Sequence, residues 1–219
     1  MTLDFERARF NMIEQQVRPW EVLDQRVLAV MTDVRREDFV PSRHRRLAFA
    51  DVELPLGHGE VMMKPIVEGR LLQALAIEPA DAVLEIGTGS GFVTACLARL
   101  GRQVVSVEQH ADFAERARGR IAVAGFTNVA IEVADAIHAF EPGGRFQAIA
   151  VTGAVHQIPA RFRKWLAVGG RMFVVFGASP VQQAVLVTRV AEDRYTEDSL
   201  FETDLKYLTN AETPRSFVL

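Results

Sequence analysis

The sequence predicts an open, doubly wound α/β sheet, mostly parallel, with an antiparallel pair at one edge and a helical extension before it. Three observations carry that prediction. Between residues 83 and 176, apolar runs of strand length alternate with segments of helical periodicity, as in a parallel sheet of βαβ units. The first run, Val83-Leu84-Glu85-Ile86, opens into Gly87-Thr88-Gly89-Ser90-Gly91 and then a helical segment, residues 92–100. A strand, a glycine turn and a helix in that order are how such sheets make a ligand crevice. Beyond residue 180 the helices stop. Residues 182–190 and 200–208 both read as strands with no obvious helix between them, for which an antiparallel pair at the sheet edge is the natural reading.

Before the sheet, residues 4–17 carry Phe5, Phe10, Ile13 and Val17 as an imperfect apolar stripe, which Pro19 ends. A second helix presents Leu23, Val27, Val30, Met31 and Val34 on one face, with Asp24 available as its cap. The basic stretch that follows (Arg35, Arg36, Arg43, His44, Arg45, Arg46) is interrupted by Glu37, Asp38 and Pro41. In a chain that is acidic overall it reads as a solvated helix surface with local ion pairs, in preference to a phosphate-binding patch. Residues 49–65 lack periodicity and hold prolines, glycines, Asp51 and His58. A structured loop is expected there, and long loops in compact domains are often functional. Pro65 starts a helix that buries Val67, Leu71 and Leu75.

After the glycine turn, a second strand over residues 104–107 is closed by Glu108. A helix then carries Phe113, Ala117, Ile121 and Ala124 inward and ends near Gly125. A third strand, 129–133, is followed by Asp135, and Pro142-Gly143-Gly144 turns the chain into a fourth, 146–151. Thr152-Gly153-Ala154-Val155-His156 then faces the cleft by topology. Pro159 opens a helix with Phe162, Trp165 and Leu166, closed by Gly169-Gly170 ahead of a fifth strand, 171–176. Residues 217–219 are apolar and are expected to dock.

A length of 219 residues suits one α/β domain with a short elaboration. Residues 1–80, holding the helices and the loop, are expected to pack on residues 81–219 as one unit. Hydrophobic content of 49% and charged content of 24% are those of an ordinary soluble globular protein. A net charge of -3 gives no global attraction to nucleic acid or an anionic membrane. Cys96 is the single cysteine, which excludes an intrachain disulfide and a cysteine-rich zinc site; it reads as a buried core thiol. The histidines are scattered and imply no metal. With no signal-like start and no membrane-length apolar run, the cytoplasm is the expected compartment.

The glycine spacing is G-x-G-x-G, not the G-x-G-x-x-G of dinucleotide sites, and Glu85 stands two residues before it. A carboxylate there opposes a pyrophosphate but suits a ligand carrying an ammonium and a sulfonium. Glu108 ends the second strand, where an acid can accept hydrogen bonds from ribose hydroxyls. A tight turn alone would explain the glycines, but not three acids that each end or leave a successive strand. The E-x-G-x-G-x-G stretch resembles the first motif of the class I S-adenosylmethionine-dependent methyltransferases. In that class an acid at the position of Asp135 approaches the adenine amino group. The expected cofactor set is Glu85, Gly87, Thr88, Gly89, Gly91, Glu108 and Asp135.

Further segments narrow the resemblance: Met12-Ile13-Glu14-Gln15-Gln16, Asp24-Gln25-Arg26-Val27-Leu28, Arg36-Glu37-Asp38-Phe39-Val40-Pro41, Ala48-Phe49-Ala50-Asp51, and Leu54-Pro55-Leu56-Gly57-His58-Gly59. With these, the chain resembles the protein-L-isoaspartate O-methyltransferase family from about residue 12 to residue 177. The resemblance implies a Rossmann-like class I methyltransferase with a seven-stranded sheet and an antiparallel edge strand. It also implies methyl transfer from S-adenosylmethionine to the free α-carboxylate of L-isoaspartyl residues in damaged proteins, leaving S-adenosylhomocysteine. The departure is at the substrate loop. Where the family carries Thr-Ile-Ser, this chain reads Val61-Met62-Met63, so both hydroxyls are lost and Met63 stands at the serine position. Met63, Asp51 and His58 are the substrate-side candidates. Lys64 and His156 are further candidates, each read more readily as an exposed bystander. Gln147 replaces an aspartate common in relatives. Three readings stay open: isoaspartyl repair, methylation of another carboxylate or small molecule, and cofactor binding without turnover. An NAD-dependent enzyme is disfavoured by the glycine spacing.

Overall fold

Strand β3 (Ala82–Ile86) is buried along its whole length because helices cover both of its faces. Val83 packs with Ala148, Ala150, Phe173 and Val175 on one side of the sheet. Leu84 and Ile86 pack with Ile149, Val151, Met172 and Val174 on the other. A continuous apolar run in place of strict alternation is what two covered faces demand. The computed structural model describes residues 4–211, so the expected docking of residues 217–219 lies outside the described residues.

On either side of β3 run the parallel strands β4 (Gln103–Glu108) and β6 (Phe146–Val155). With β5 (Val129–Val133), β7 (Leu166–Ala178), β8 (Val181–Ala191) and β9 (Arg194–Thr203), they form a seven-stranded sheet of order β5-β4-β3-β6-β7-β8-β9. All pairs from β5 to β7 are parallel, whereas β8 runs antiparallel to β7 and β9 antiparallel to β8. The mixed sheet flanked by helices is the expected class I methyltransferase architecture. The helices α5 (Phe92–Leu100), α6 (Ala111–Val123) and the short α7 (Ala160–Lys164) cover the sheet.

The N-terminal segment folds as α1 (Phe5–Met12), a π-helical turn (Ile13–Val17) and a 3-10 turn (Arg18–Trp20) that holds Pro19. Then come α2 (Gln25–Asp33), α3 (Arg36–Phe39) and α4 (Pro65–Leu75). Asp24 caps α2 by accepting from the Arg26 N–H at 2.8 Å. Val17, Met31 and Leu71 share one core with Val83 and Phe173, so these helices and the sheet bury a common apolar interior.

Several expectations are corrected. The loop at residues 49–65 contains a hairpin, β1 (Leu54–Gly57) with β2 (Glu60–Met62), whose tight turn uses Gly57 and Gly59 at φ of 117° and 73°. Leu23 is exposed before the cap of α2, and Ala124 is exposed past the end of α6. Arg36 is no surface residue: it is fully buried and paired with Glu68 at 3.1 Å. The helix after Pro159 is only five residues long, with Trp165 as its cap and Leu166 already in β7. The second tail strand runs from Arg194, six residues earlier than expected, because a two-residue connection lets it pair directly with β8.

Candidate active site

The chain order reverses at β3, whose successor β4 lies on one side and β6 on the other. Such a switch point leaves a crevice beyond the carboxyl ends of the strands. Ile86 and Gly87 at the end of β3, Val107 and Glu108 of β4, and Thr152 and Gly153 of β6 form its floor.

The glycine turn is shaped for close approach. Gly87 and Gly89 line the crevice at φ of 95° and 50°. A Cβ on Gly87 would lie 2.4 Å from Thr152 Oγ1, so no side chain fits. That hydroxyl is 2.6 Å from the Gly87 carbonyl and 2.9 Å from the Ile86 carbonyl, bracing the turn. The Gly89 N–H donates to Glu108 Oε2 at 2.8 Å, and the His110 N–H donates to Oε1 at 3.0 Å. These bonds fix the Glu108 carboxylate while leaving each oxygen a further lone pair for a ligand hydroxyl. Asp135 also lines the crevice. Burial would raise its carboxyl, but bonds from His138, Asn210 and the N–H groups of Ile137 and His138 outweigh that and hold it below the usual range.

Three members of the expected cofactor set do not line the crevice. Glu85 points into the core beneath α5, where its carboxyl accepts from the Thr94 and Ser106 hydroxyls and is wholly buried. The pleat explains this: Glu85 shares a face with Val83, not with Ile86. Burial pushes its carboxyl up to about 8 despite those two hydrogen bonds. Thr88 turns inward too, its Oγ1 2.5 Å from Ser106 Oγ. Gly91 caps α5 at φ 85° and lets α6 approach, since a Cβ there would sit 3.1 Å from that of Ala117.

The opposite wall is the hairpin. Leu56, Glu60, Val61 and Met63 line the crevice, with Met63 nearly buried. The Met63 carbonyl accepts from Arg36 Nη2 at 2.8 Å, and the Arg36 guanidinium lies 5.1 Å from the Phe92 ring centre. The buried Arg36–Glu68 pair therefore anchors the residue at the lip of the site. Asp51 is beside this pair, where its charge acts on both partners, and not in the crevice lining. His58 is at the tip of the hairpin, stacked 4.4 Å from the His110 ring and bonded to Asp112 at 3.1 Å, also outside the lining. Lys64 and His156 are likewise absent from it, while Gln147 accepts from the Ala82 N–H at the far end of β3.

The last wall was invisible in the sequence. Residues 205–209, just past β9, cross the carboxyl end of β6 and line the crevice. The Lys206 carbonyl accepts from the Ala154 N–H, and the Leu208 N–H donates to the Ala154 carbonyl, each at 2.8 Å. No local motif marks this segment. Its position follows only from the β8–β9 pairing, whose register was expected six residues later.

Glycine backbone open to a ligand, a fixed carboxylate on β4 and a second acid after β5 fit the adenosine and ribose of S-adenosylmethionine. Comparison with known proteins agrees. Residues 7–212 match the family model described as Protein-L-isoaspartate(D-aspartate) O-methyltransferase (PCMT). A protein-L-isoaspartate O-methyltransferase of Methanoculleus marisnigri is 39% identical over 84% of this chain and 83% of its own length. One of Koribacter versatilis is 37% identical over 90% and 88%. A Plasmodium falciparum chain described as a protein-L-isoaspartate O-methyltransferase, crystallised with S-adenosyl-L-homocysteine, superposes with a TM-score of 0.79 over 94% of this chain and 99% of that one. At 19% identity this last likeness speaks for the fold. With sequence and architecture in agreement along nearly the whole chain, the protein belongs to the protein-L-isoaspartate(D-aspartate) O-methyltransferase family of S-adenosylmethionine-dependent methyltransferases.

Proposed function

We propose that the chain methylates the free α-carboxylate of L-isoaspartyl residues in damaged peptides and proteins. The observation that carries this reading is a single crevice with two unlike walls. Gly87, Gly89, Glu108 and Asp135 stand on one side, and the hairpin residues Val61 and Met63 on the other. Bound S-adenosylmethionine supplies a sulfonium methyl group, which an ionised carboxylate can accept without a general base. The work left to the protein is alignment and exclusion of water, and alignment contributes up to ~7–11 kcal/mol at its favourable limit.

In this reading Glu108 accepts the ribose hydroxyls, Asp135 receives the adenine amino group, and the open backbone at Gly87 and Gly89 admits the rest. Val61, Met63 and Leu205 give the acceptor an apolar, water-poor wall. Substituting a methionine for a serine that bonds a charged substrate removes ~1.5–3 kcal/mol, about ten- to a hundredfold in rate if the bond acts in the transition state. That loss favours a second reading, in which the acceptor is another carboxylate better matched to an apolar wall. A buried free thiol at Cys96 with no second cysteine suits a reducing compartment, and we assign the protein to the cytoplasm. No described helix is long and apolar enough to cross a membrane.

Transfer of labelled methyl from S-adenosylmethionine to an isoaspartyl peptide, set against its normal aspartyl twin, is the direct test. Transfer to the isoaspartyl peptide alone is expected. Cofactor binding without transfer to either peptide would discard the repair reading and favour the second.

A further inference from the structure

We propose that Lys206 holds the carboxylate of the methyl acceptor and so makes the enzyme select an anionic substrate. This rests on the methyltransferase reading above and adds to it the residue that chooses the acceptor. Among the described residues, the crevice is lined by four carboxylates, Glu53, Glu60, Glu108 and Asp135, and by one lysine or arginine, Lys206. Of these protein charges, only this ammonium attracts an acceptor that must arrive as an anion.

Its location suits the task. Lys206 Nζ donates to the Gly59 carbonyl at 2.5 Å, on the turn of the same hairpin that presents Val61 and Met63 to the crevice. From the wall of residues 205–209 it therefore reaches across to the hairpin, where both hydroxyls expected from the resemblance are missing. Its backbone is pinned on β6 through Ala154, so the ammonium swings from a rigid post.

The ammonium also has capacity to spare. Among the described residues, Gly59 is its hydrogen-bond acceptor and engages one of its three N–H donors. Among the described residues, the nearest carboxylate oxygen, Glu60 Oε1, is 3.8 Å away, beyond hydrogen-bond length, and is 3.2 Å from Thr209 Oγ1. An incoming carboxylate can take these donors by loosening only the long 3.8 Å ion pair with Glu60. Lys64, the cation suggested by the sequence, sits at the start of α4 outside the lining.

The test is calorimetric titration of the protein, saturated with S-adenosylhomocysteine, with an isoaspartyl peptide and with its α-carboxamide twin. The wild type is expected to prefer the carboxylate. Lys206→Met should weaken carboxylate binding about 10- to 100-fold and leave the carboxamide nearly unchanged, erasing the preference. Lys206→Arg should restore most of it, and all three proteins should bind S-adenosylhomocysteine within about twofold. Equal weakening of both peptides in Lys206→Met would show a merely structural lysine and overturn the proposal. So would an undiminished preference for the carboxylate, with the isoaspartyl reading left intact. Failure of the wild type to bind either peptide would overturn the isoaspartyl reading and the role of Lys206 together.

Discussion

Glu85 shows how a residue that a motif places beside a ligand can lie outside the crevice lining. The sequence puts it beside the glycine turn, and a ligand contact is the natural inference. The period-two geometry of β3 turns its side chain under α5, onto Thr94 and Ser106. Its carboxyl is raised from 4.5 to about 8, so between those values the folded chain keeps a proton that the unfolded chain releases. Its contribution is therefore full below about pH 4.5 and is lost as pH rises towards 8. Urea midpoints should fall from pH 5 to pH 8. Glu85→Gln should be less stable by ~1–3 kcal/mol at pH 5, where its amide leaves donors unpaired, and that deficit should narrow by pH 9. An unchanged slope in the variant would remove Glu85 from the account. Gly87, Gly89, Glu108 and Asp135 were legible because their positions follow from strand ends, which a local pattern defines. Lys206 was not, because only long-range pairing brings it to the site.

At the scale of elements, the strands and helices from β3 to β6 were readable because each declares itself within a dozen residues. Misreadings cluster where tertiary pairing decides. The hairpin β1–β2 has too few residues to show alternation, and β9 carries a burial pattern that is mostly exposed, so its start left little apolar signal. Arg36 was misread for a related reason: a basic cluster looks solvated until α4 supplies Glu68. Removing one partner of a buried pair strands the other. Arg36→Ala should cost ~3–5 kcal/mol in urea unfolding and loosen Met63 through the lost carbonyl bond. Replacing Arg36 and Glu68 together by methionine should recover most of that loss, since no unpaired charge remains buried. A double variant as unstable as the single one would argue that packing over Phe92, not charge, is the anchor.

For the molecule as a whole, the sheet order gives a quantitative expectation for ligand linkage. The crevice draws on β3, β4, β6, the hairpin and residues 205–209, so it exists only in the folded state. A ligand bound there stabilises the entire unit. S-adenosylhomocysteine at about one hundred times its Kd should add ~2.7 kcal/mol and raise Tm by ~5–11 °C. NAD at the same concentration should leave Tm unmoved; a comparable shift with NAD would reopen the dinucleotide reading that the glycine spacing disfavours.

The wall formed by residues 205–209 also has a consequence in time. A ribosome delivers the hairpin first, the glycine turn and its acids next, and this wall after every other part of the site. A chain folded only as far as β9 holds its whole sheet and yet offers an unfinished pocket. Catalysis then waits on the docking of residues 205–209, the last part of the site to be made.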